Sequence, residues 1–225
     1  MNKHIVIAID GPGGSGKSTV AQMIAKRLGY LYVNTGAMYR AMALKVLQKK
    51  VSPTDEKGIE TLTRETDVTI QRTKNGGTDV FLDGKNVTAR VRKPDIANAV
   101  SQVSRIPAVR HWLVEKQRKS AETDNIVCEG RDIGTVVFPL ADFKFFLTAS
   151  FEERVQRRMG EYEKSGIHIS KNQVIKELRE RDNIDSTREI SPLRKADDAI
   201  EIDSTDMTPE QVVQKILNVI GDSAV

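Results

Sequence analysis

The hydrophobic pattern at the start of the chain alternates between two kinds of element. Residues 5–9 form a short β-branched run without polar alternation, which is typical of a strand buried on both faces of a parallel sheet. Residues 17–28 then place apolar side chains at helical spacing, and Gly29 follows as a stop. A second strand over residues 30–33 and a second helix over residues 37–47 repeat the pattern. Because neighbouring parallel strands need a crossover, this order predicts a doubly wound α/β sheet.

The middle of the chain departs from this pattern. Polar and apolar residues alternate over residues 67–72 and 79–82, on either side of the turn residues Asn75-Gly76-Gly77. Asp83-Gly84 then precedes a third predicted strand over residues 86–91. Three short strands with turn chemistry between them predict a small antiparallel meander inserted into the α/β core.

The second half of the chain returns to helices and buried strands. A helix is predicted over residues 94–119, in two pieces because Pro107 interrupts it. Thr208-Pro209-Glu210-Gln211 predicts the N-cap and capping box of a last helix. The remaining predicted elements are strands over residues 126–128, 143–147 and 200–202, and charged helices over residues 151–164 and 171–185.

One motif carries recognisable chemistry. Residues 11–18, GPGGSGKS, fit the pattern G-x-x-x-x-G-K-[ST], between a predicted strand and a predicted helix. In this setting the glycines let backbone N–H groups converge on a phosphate, and the helix dipole adds positive potential. Lys17 would neutralise the outer phosphates, and the Ser18 hydroxyl would serve Mg²⁺. The chain is therefore predicted to bind a nucleoside triphosphate.

Two groups of arginines suit phosphoryl transfer. Arg154, Arg157 and Arg158 are spaced to share one helical face. Arg181, Asp185 and Arg188 would do the same if their helix continues. Arginines can stabilise the negative charge of a transferred phosphoryl group, although solvated helix faces with ordinary ion pairs would give the same spacing.

Two polar segments follow predicted strands at the sheet edge where α/β proteins bind ligands. Thr35-Gly36-Ala37-Met38-Tyr39-Arg40 offers a hydroxyl, a helix start and an arginine, which suit a second phosphate. Glu129-Gly130-Arg131-Asp132 follows the predicted strand over residues 126–128. A helix cap and a polar turn are the simpler interpretations of these segments taken singly.

These segments together resemble the bacterial cytidylate kinase family. The matching stretches are IAIDGPGGSGKST, NTGAMYRA, ANAVSQVS with Arg110 after it, EGRDIGTVVFP, RERDNIDSTR and IDST. The resemblance implies an α/β P-loop three-layer fold with a parallel sheet, a small antiparallel insert and a helical lid. It implies one nucleoside-monophosphate-kinase domain over residues 1–225, with a core of residues 1–60 and 93–225, an insert of about 61–92 and a lid of about 151–185. The implied reaction is the transfer of a phosphoryl group from Mg-ATP to CMP or dCMP.

The resemblance also assigns residues to roles. The catalytic residues are Lys17, Arg131 and Arg188, and no residue is assigned as a base, because the phosphate of CMP is already an anionic nucleophile. The residues expected to bind ATP are Gly11, Pro12, Gly13, Gly14, Ser15, Gly16, Lys17, Ser18, Thr19, Arg157 and Arg158, with Ser18 also at the magnesium. The residues expected to bind CMP are Thr35, Tyr39, Arg40, Ser101, Arg110, Arg131, Asp132, Arg181, Asp185 and Arg188. Among these, Ser101, Arg110 and Asp132 match positions that recognise cytosine, which offers an amino donor and two acceptors. Glu129 stands where some relatives have Asp.

The amino-acid composition indicates the cellular compartment and the classes of partner. The 225 residues include 35 Lys+Arg, 31 Asp+Glu and one Cys, so a disulfide framework is excluded and a reducing cytoplasm is expected. No apolar run reaches the length of a membrane span, and the first ten residues do not resemble a signal peptide. A net charge of +4 and 5% aromatic residues give little support for nucleic-acid binding. We expect a monomer that binds neither nucleic acid nor membrane.

Three alternatives remain at this point. The nearest is a kinase for another small acceptor, such as UMP. A P-loop GTPase or regulatory switch would need an N/T-K-x-D guanine motif, which the later part of the sequence does not contain. A nucleic-acid-binding module would rest on the basic charge alone.

Overall fold

This computed structural model describes residues 4–73 and 77–222 of the chain, except for the side chains of residues 94, 97, 98 and 222. In chain order its elements are β1 (Val6–Asp10), α1 (Lys17–Leu28), β2 (Leu31–Asn34), α2 (Thr35–Gln48), α3 (Glu56–Arg64), β3 (Val68–Arg72), β4 (Thr78–Leu82), β5 (Lys85–Asn86), a 3-10 turn (Arg90–Arg92), α4 (Pro94–Val103), α5 (Pro107–Thr123), β6 (Ile126–Gly130), a π-helical turn (Ile133–Val137), β7 (Phe143–Thr148), α6 (Phe151–Lys164), α7 (Lys171–Thr187), β8 (Ile200–Asp203) and α8 (Pro209–Asp222). No described helix is long and apolar enough to cross a membrane.

The chain divides into two compact units. The first contains residues 1–6 and 25–129, and the second contains residues 7–24 and 130–225. The division into core, insert and lid drawn from the resemblance stays a prediction.

In the first unit a parallel pair of strands leads into helix α2. Strands β2 and β6 pair in register, with Val33 opposite Cys128 and Asn34 opposite Glu129. Both strands are buried, with Leu31, Tyr32 and Val33 in β2 and Ile126, Val127 and Cys128 in β6, as a two-sided parallel sheet requires. The Asn34 side chain accepts from the Ala37 N–H at 2.8 Å and so caps α2. The chain therefore turns from strand to helix at Thr35.

The predicted antiparallel insert is present in the same unit. Strands β3, β4 and β5 form a three-stranded antiparallel sheet. Asp83 and Gly84 connect β4 to β5, and both have positive φ (49° and 75°), as a two-residue hairpin loop requires. The predicted turn at Asn75-Gly76 lies outside the described residues.

The predicted strand over residues 86–91 is wrong beyond Asn86. The Thr88 hydroxyl accepts from the Val80 N–H at 2.9 Å, so a side chain takes the position of the next backbone partner. The chain then closes a turn, in which the Val91 N–H donates to the Val87 carbonyl, and enters the 3-10 turn. Helix α3 was not predicted; Asp55 caps it by accepting from the Gly58 N–H.

In the second unit three parallel strands lie in the order β1-β7-β8. Ile9 lies opposite Phe145, and Leu147 opposite Ile202, which gives the sheet a fully apolar centre. Helix α8 begins with the predicted capping box, in which Thr208 and Gln211 exchange backbone-to-side-chain hydrogen bonds. The α/β fold predicted from the sequence, with parallel strands and a small antiparallel sheet, is confirmed.

Candidate active site

The P-loop follows β1 directly, in the second unit. Gly11 has a φ of +147°, and a Cβ there would overlap the Leu147 carbonyl oxygen. Gly14 and Gly16 also have positive φ, at +75° and +87°. A side chain at Gly11 would therefore clash, and these three glycines allow the backbone to form a loop that most residues could not adopt.

Lys17 lies at the start of α1 and folds back over this loop. Its Nζ donates to the Pro12 carbonyl at 2.6 Å and to the Ser15 hydroxyl at 3.3 Å. Only 5% of Lys17 is exposed. The ammonium group is thus held at the loop, where a phosphate would meet it.

Asp10, the last residue of β1, was not predicted to take part. Its carboxylate accepts from the N–H groups of Ile133 and Gly134 at 2.8 and 2.7 Å. Burial raises the pKa of Asp10 to about 6, and the two backbone bonds offset only part of that effect. The only sequence signal was an acidic residue at the carboxyl end of a buried strand.

A group of charged side chains, which we call the arginine cluster, lies beside the loop. Its members are Arg131, Asp132, Arg181, Asp185 and Arg188. The Arg131 Nε donates to Asp185 Oδ2 at 2.7 Å, and Arg188 Nη1 lies 3.5 Å from Asp185 Oδ1. Arg181 Nε lies 3.9 Å from Asp185 Oδ2, and Arg188 Nη2 lies 3.8 Å from Asp132 Oδ1. Three guanidinium groups thus surround two carboxylates, which leaves one net positive charge.

The cluster reaches the P-loop at Gly13. A Cβ built on Gly13 would lie 3.7 Å from Arg131 Nη2 and 3.9 Å from Arg181 Cδ. Burial alone would raise the pKa of Asp185, but Arg131, Arg181 and Arg188 outweigh it and lower the pKa. Asp185 is therefore ionised at neutral pH and orients the arginines around it.

The helix predicted over residues 171–185 continues for two more residues but does not include Arg188. Helix α7 stops at Thr187, and Arg188 has an extended backbone (φ −60°, ψ 141°). Its side chain nevertheless returns to Asp185, while its Nε donates to the Ser191 carbonyl at 2.6 Å. The predicted grouping forms through this turn and not along a continuous helical face.

The arginines of α6 have different surroundings. Arg157 donates to Glu153 at 2.8 Å and to the hydroxyl and carbonyl of Ser204 at 2.9 and 2.6 Å. Its Nη1 would lie 3.5 Å from a Cβ on Gly16, so it does approach the P-loop. Arg158 donates to Glu161 at 2.7 Å and to the Tyr162 hydroxyl at 3.1 Å. A role for Arg157 and Arg158 in ATP binding stays a prediction.

Five predicted residues belong to the first unit, with Thr35, Tyr39 and Arg40 on α2, Ser101 on α4 and Arg110 on α5. The Thr35 hydroxyl donates to the Glu129 carbonyl at 2.8 Å. The Arg40 guanidinium lies close to Gly36, with Nη2 3.8 Å from a Cβ built there. Arg110, only 2% exposed, lies with its Cζ 5.3 Å from the centre of the Tyr39 ring and donates to the Ser104 carbonyl at 3.1 Å. Ser101 is half-buried on α4.

Glu129 is buried at the end of β6. Its carboxylate accepts from the Tyr32 hydroxyl at 3.4 Å, and Asn34 donates to that hydroxyl at 2.9 Å. In the first unit the structure therefore groups Thr35, Tyr39, Arg40 and Arg110 around the carboxyl ends of β2 and β6 and the start of α2.

Comparison with known proteins identifies the family of the chain. The family model for cytidylate kinase matches residues 7–222. The cytidylate kinase of Caldanaerobacter subterraneus subsp. tengcongensis is 50% identical over 220 residues, which cover 98% of this chain and 96% of that protein. The cytidylate kinase of Bacillus subtilis is 44% identical, with 98% of each chain covered.

A solved structure also shares the fold. The crystal structure of an uncharacterised protein from Eubacterium ventriosum aligns over 98% of this chain and 99% of its own, with a TM-score of 0.55 and 15% identity. That likeness concerns the fold alone. The family match spans nearly all of the chain and includes the P-loop and the arginine cluster, and the chain therefore belongs to the cytidylate kinase family.

Proposed function

We propose that this chain, as a member of the cytidylate kinase family, transfers the γ-phosphate of ATP to CMP or dCMP, giving ADP and CDP or dCDP. The observation that carries the proposal is the arginine cluster beside Gly13 of the P-loop. A P-loop alone binds a triphosphate and leaves the reaction open. Guanidinium groups next to it supply the positive charge that a phosphoryl group needs during transfer.

ATP is bound in this proposal by the P-loop. Backbone N–H groups of the loop hold the phosphates, and the ammonium group of Lys17 neutralises the outer ones. Arg157 would add charge from α6, since its guanidinium lies near Gly16. Arg158 would need to leave Glu161 and Tyr162 to take part. The proposed ATP-binding residues are Gly11, Pro12, Gly13, Gly14, Ser15, Gly16, Lys17, Ser18, Thr19, Arg157 and Arg158.

Magnesium is the metal that this reaction generally uses, and the residues at the loop suit it. Ser18 is exposed at the start of α1, and its hydroxyl is a hard oxygen ligand. Among the described residues no group of three His, Cys, Asp or Glu side chains could hold a metal ion. In this proposal the ion is coordinated mainly by phosphates and water, which is the usual arrangement for Mg²⁺. When bound, the ion neutralises charge on the phosphates.

The residues proposed to bind CMP have three separate roles, towards its phosphate, its base and its sugar. Thr35, Tyr39 and Arg40 are expected to bind its phosphate, together with Arg131 and Arg188. Asp132 is expected to accept a hydrogen bond from the cytosine amino group, and the donors of Ser101 and Arg110 suit the ring acceptors. Arg181 and Asp185 are expected to contact the sugar. The resemblance in sequence supports these roles, and the burial of Asp132 supports a carboxylate that must be matched by a donor.

Catalysis in this proposal needs no general base. The acceptor phosphate is already an anion, so the protein has to align it with the γ-phosphate and stabilise the charge that develops. Lys17, Arg131 and Arg188 supply that positive charge. Asp185 keeps Arg131 and Arg188 in place, since both lie within 3.5 Å of its carboxylate.

The cellular location and the oligomeric state belong to the same proposal. We propose that the enzyme works in the cytoplasm, where ATP and nucleoside monophosphates occur and a single cysteine remains reduced. We also propose that it works as a monomer, without nucleic acid or membrane.

A coupled assay of ADP formation with a panel of acceptors tests the function. With ATP and Mg²⁺, we expect turnover with CMP and dCMP, weak turnover with UMP, and none with AMP or shikimate. Preference for UMP would favour the alternative acceptor. ATP hydrolysis without any acceptor dependence would indicate a nucleotide switch, which family membership disfavours.

A further inference from the structure

We propose that Arg154, oriented by Asp182, is a positioning residue that fixes the peptide between Gly13 and Gly14 of the P-loop. This inference rests on the proposed binding of ATP at that loop. It gives a role to Arg154, which shares a face of α6 with the proposed ATP ligands Arg157 and Arg158.

Arg154 links both helices, α6 and α7, to the loop. Its Nη1 donates to the Gly13 carbonyl at 3.1 Å and to Asp182 Oδ2 at 2.6 Å. Asp182 belongs to α7, while Arg154 belongs to α6. Only 8% of Arg154 is exposed, so water does not compete strongly for these bonds.

The hydrogen bond from Arg154 to the Gly13 carbonyl sets the direction of the Gly14 N–H. A trans peptide is planar, so the carbonyl of Gly13 and the N–H of Gly14 point in opposite directions. When Arg154 holds the carbonyl on the side of α6, the Gly14 N–H is directed away from α6. A loop that binds phosphate through N–H groups depends on such directions being set before the ligand arrives.

The backbone of Arg154 also limits the space for a side chain at Gly14. A Cβ on Gly14 would lie 3.0 Å from the Arg154 carbonyl oxygen and 3.1 Å from its Cβ. The loop therefore packs directly against the first turn of α6 at Gly14, and the φ of +75° there suits glycine.

Asp182 is needed because Arg154 is held by few polar groups. Arg154 Nε and Asp182 Oδ1 are buried, and neither has a hydrogen-bond partner among the described residues. The ring of Phe151 lies below the guanidinium, with Cζ 5.2 Å from the ring centre. Asp182 Oδ2 is thus the charged partner that points the guanidinium towards Gly13, and the two residues should act as one unit.

Binding of ADP to the folded protein tests the inference by isothermal titration calorimetry. We expect Arg154→Met to weaken ADP binding about tenfold, the scale of a lost hydrogen bond to a charged group. Asp182→Asn should weaken it by a smaller factor, and the double variant should bind no worse than Arg154→Met alone. Arg154→Lys should recover part of the affinity, because an ammonium group can still donate to the carbonyl. In steady-state kinetics the KM for ATP should rise in Arg154→Met while the KM for CMP stays unchanged.

Arg179→Met is the matched control. Arg179 places its guanidinium 5.3 Å from the same Phe151 ring, but it is exposed, and within the described part of the chain it has no hydrogen bond or ion pair to the loop. It should bind ADP as the unaltered protein does. Unchanged ADP affinity in Arg154→Met, with an unchanged melting temperature, would overturn the inference. An equal loss in Arg179→Met would do the same, because it would show a general effect of the two helices. If the unaltered protein bound no ADP, the proposed function itself would fail.

Discussion

Arg131 donates from Nε to Asp185 Oδ2 over 2.7 Å, and each side chain is no more than 15% exposed. Arg188 lies on the other oxygen of the same carboxylate. One acidic group therefore orients two of the three residues to which we assign catalysis. A phosphate entering this cluster would meet guanidinium groups whose positions are already set, and this lowers the cost of organising them during the reaction.

Removing that carboxylate should destabilise the protein. In Asp185→Asn the shape is kept, but three guanidinium groups lose their shared counter-ion. We expect the free energy of unfolding to fall by about 3 kcal/mol, since breaking a buried pair leaves charge uncompensated. Urea denaturation measures this loss, and CMP should recover part of it by supplying a phosphate.

Glu180→Gln, on the same helix, is the control. Glu180 forms an exposed pair with Lys176 at 3.9 Å, so its loss should cost less than about 0.5 kcal/mol. Similar losses in the two variants would show that Asp185 does not hold the cluster together.

The buried carboxyl of Asp10 should make stability depend on pH. Its folded pKa of about 6 lies above its ordinary value of 3.8, so the folded state binds the proton more tightly than the unfolded state. The resulting stabilisation is complete below pH 3.8 and is lost as the pH rises through 6. We expect stability to decrease between pH 4.5 and 7 by about 2 kcal/mol from this group.

Asp10→Asn separates this effect from other groups, because its amide does not titrate. The difference in unfolding free energy between the variant and the unaltered protein should change with pH over that window. A difference that stays constant from pH 4.5 to 7 would mean that the Asp10 pKa is not raised, in disagreement with its burial.

The sequence predicted well those elements whose periodicity and caps agree. Helices α1 and α6 begin and end at the predicted residues, Lys17–Leu28 and Phe151–Lys164. The predicted strand over residues 86–91 failed because a side chain replaced a backbone hydrogen-bond partner: the Thr88 hydroxyl, and not a backbone carbonyl, accepts from the Val80 N–H. Such a replacement depends on a strand pairing that periodicity does not show.

The candidate site shows the same difference between residues fixed by a local motif and residues that depend on distant parts of the chain. Lys17 and the P-loop glycines could be predicted because one local motif fixes them. Asp10 could not, since its partners at Ile133 and Gly134 are 123 and 124 residues away in the chain. The pairing of Arg154 with Asp182 and Gly13 likewise depends on how α6 and α7 pack against the loop.

Recognition of the base should depend on Asp132. An ionised carboxylate accepts from the cytosine amino group, whereas uracil presents a carbonyl at that place and repels it. Asp132→Ala should therefore lose activity with CMP far more than with UMP, by roughly 10²-fold against less than tenfold, while the KM for ATP changes little. Steady-state kinetics with both acceptors measures the ratio.

The structure also offers a purely structural role for Asp132, since Arg188 Nη2 lies 3.8 Å from its carboxylate. If orienting Arg188 were its only function, both acceptors would lose activity in proportion. A proportional loss would remove Asp132 from base recognition.

Transfer of label from γ-labelled ATP to CMP is the most direct test of the central claim, made with the unaltered protein and with Lys17→Ala. Lys17 is held over the loop by Pro12 and Ser15 and lies outside the apolar core, so the variant should remain folded. The account predicts labelled CDP from the unaltered protein and a rate about 10²–10³-fold lower from Lys17→Ala, which corresponds to about 3–4 kcal/mol of transition-state stabilisation. Label released only as inorganic phosphate, or near-normal transfer by a folded Lys17→Ala, would contradict it.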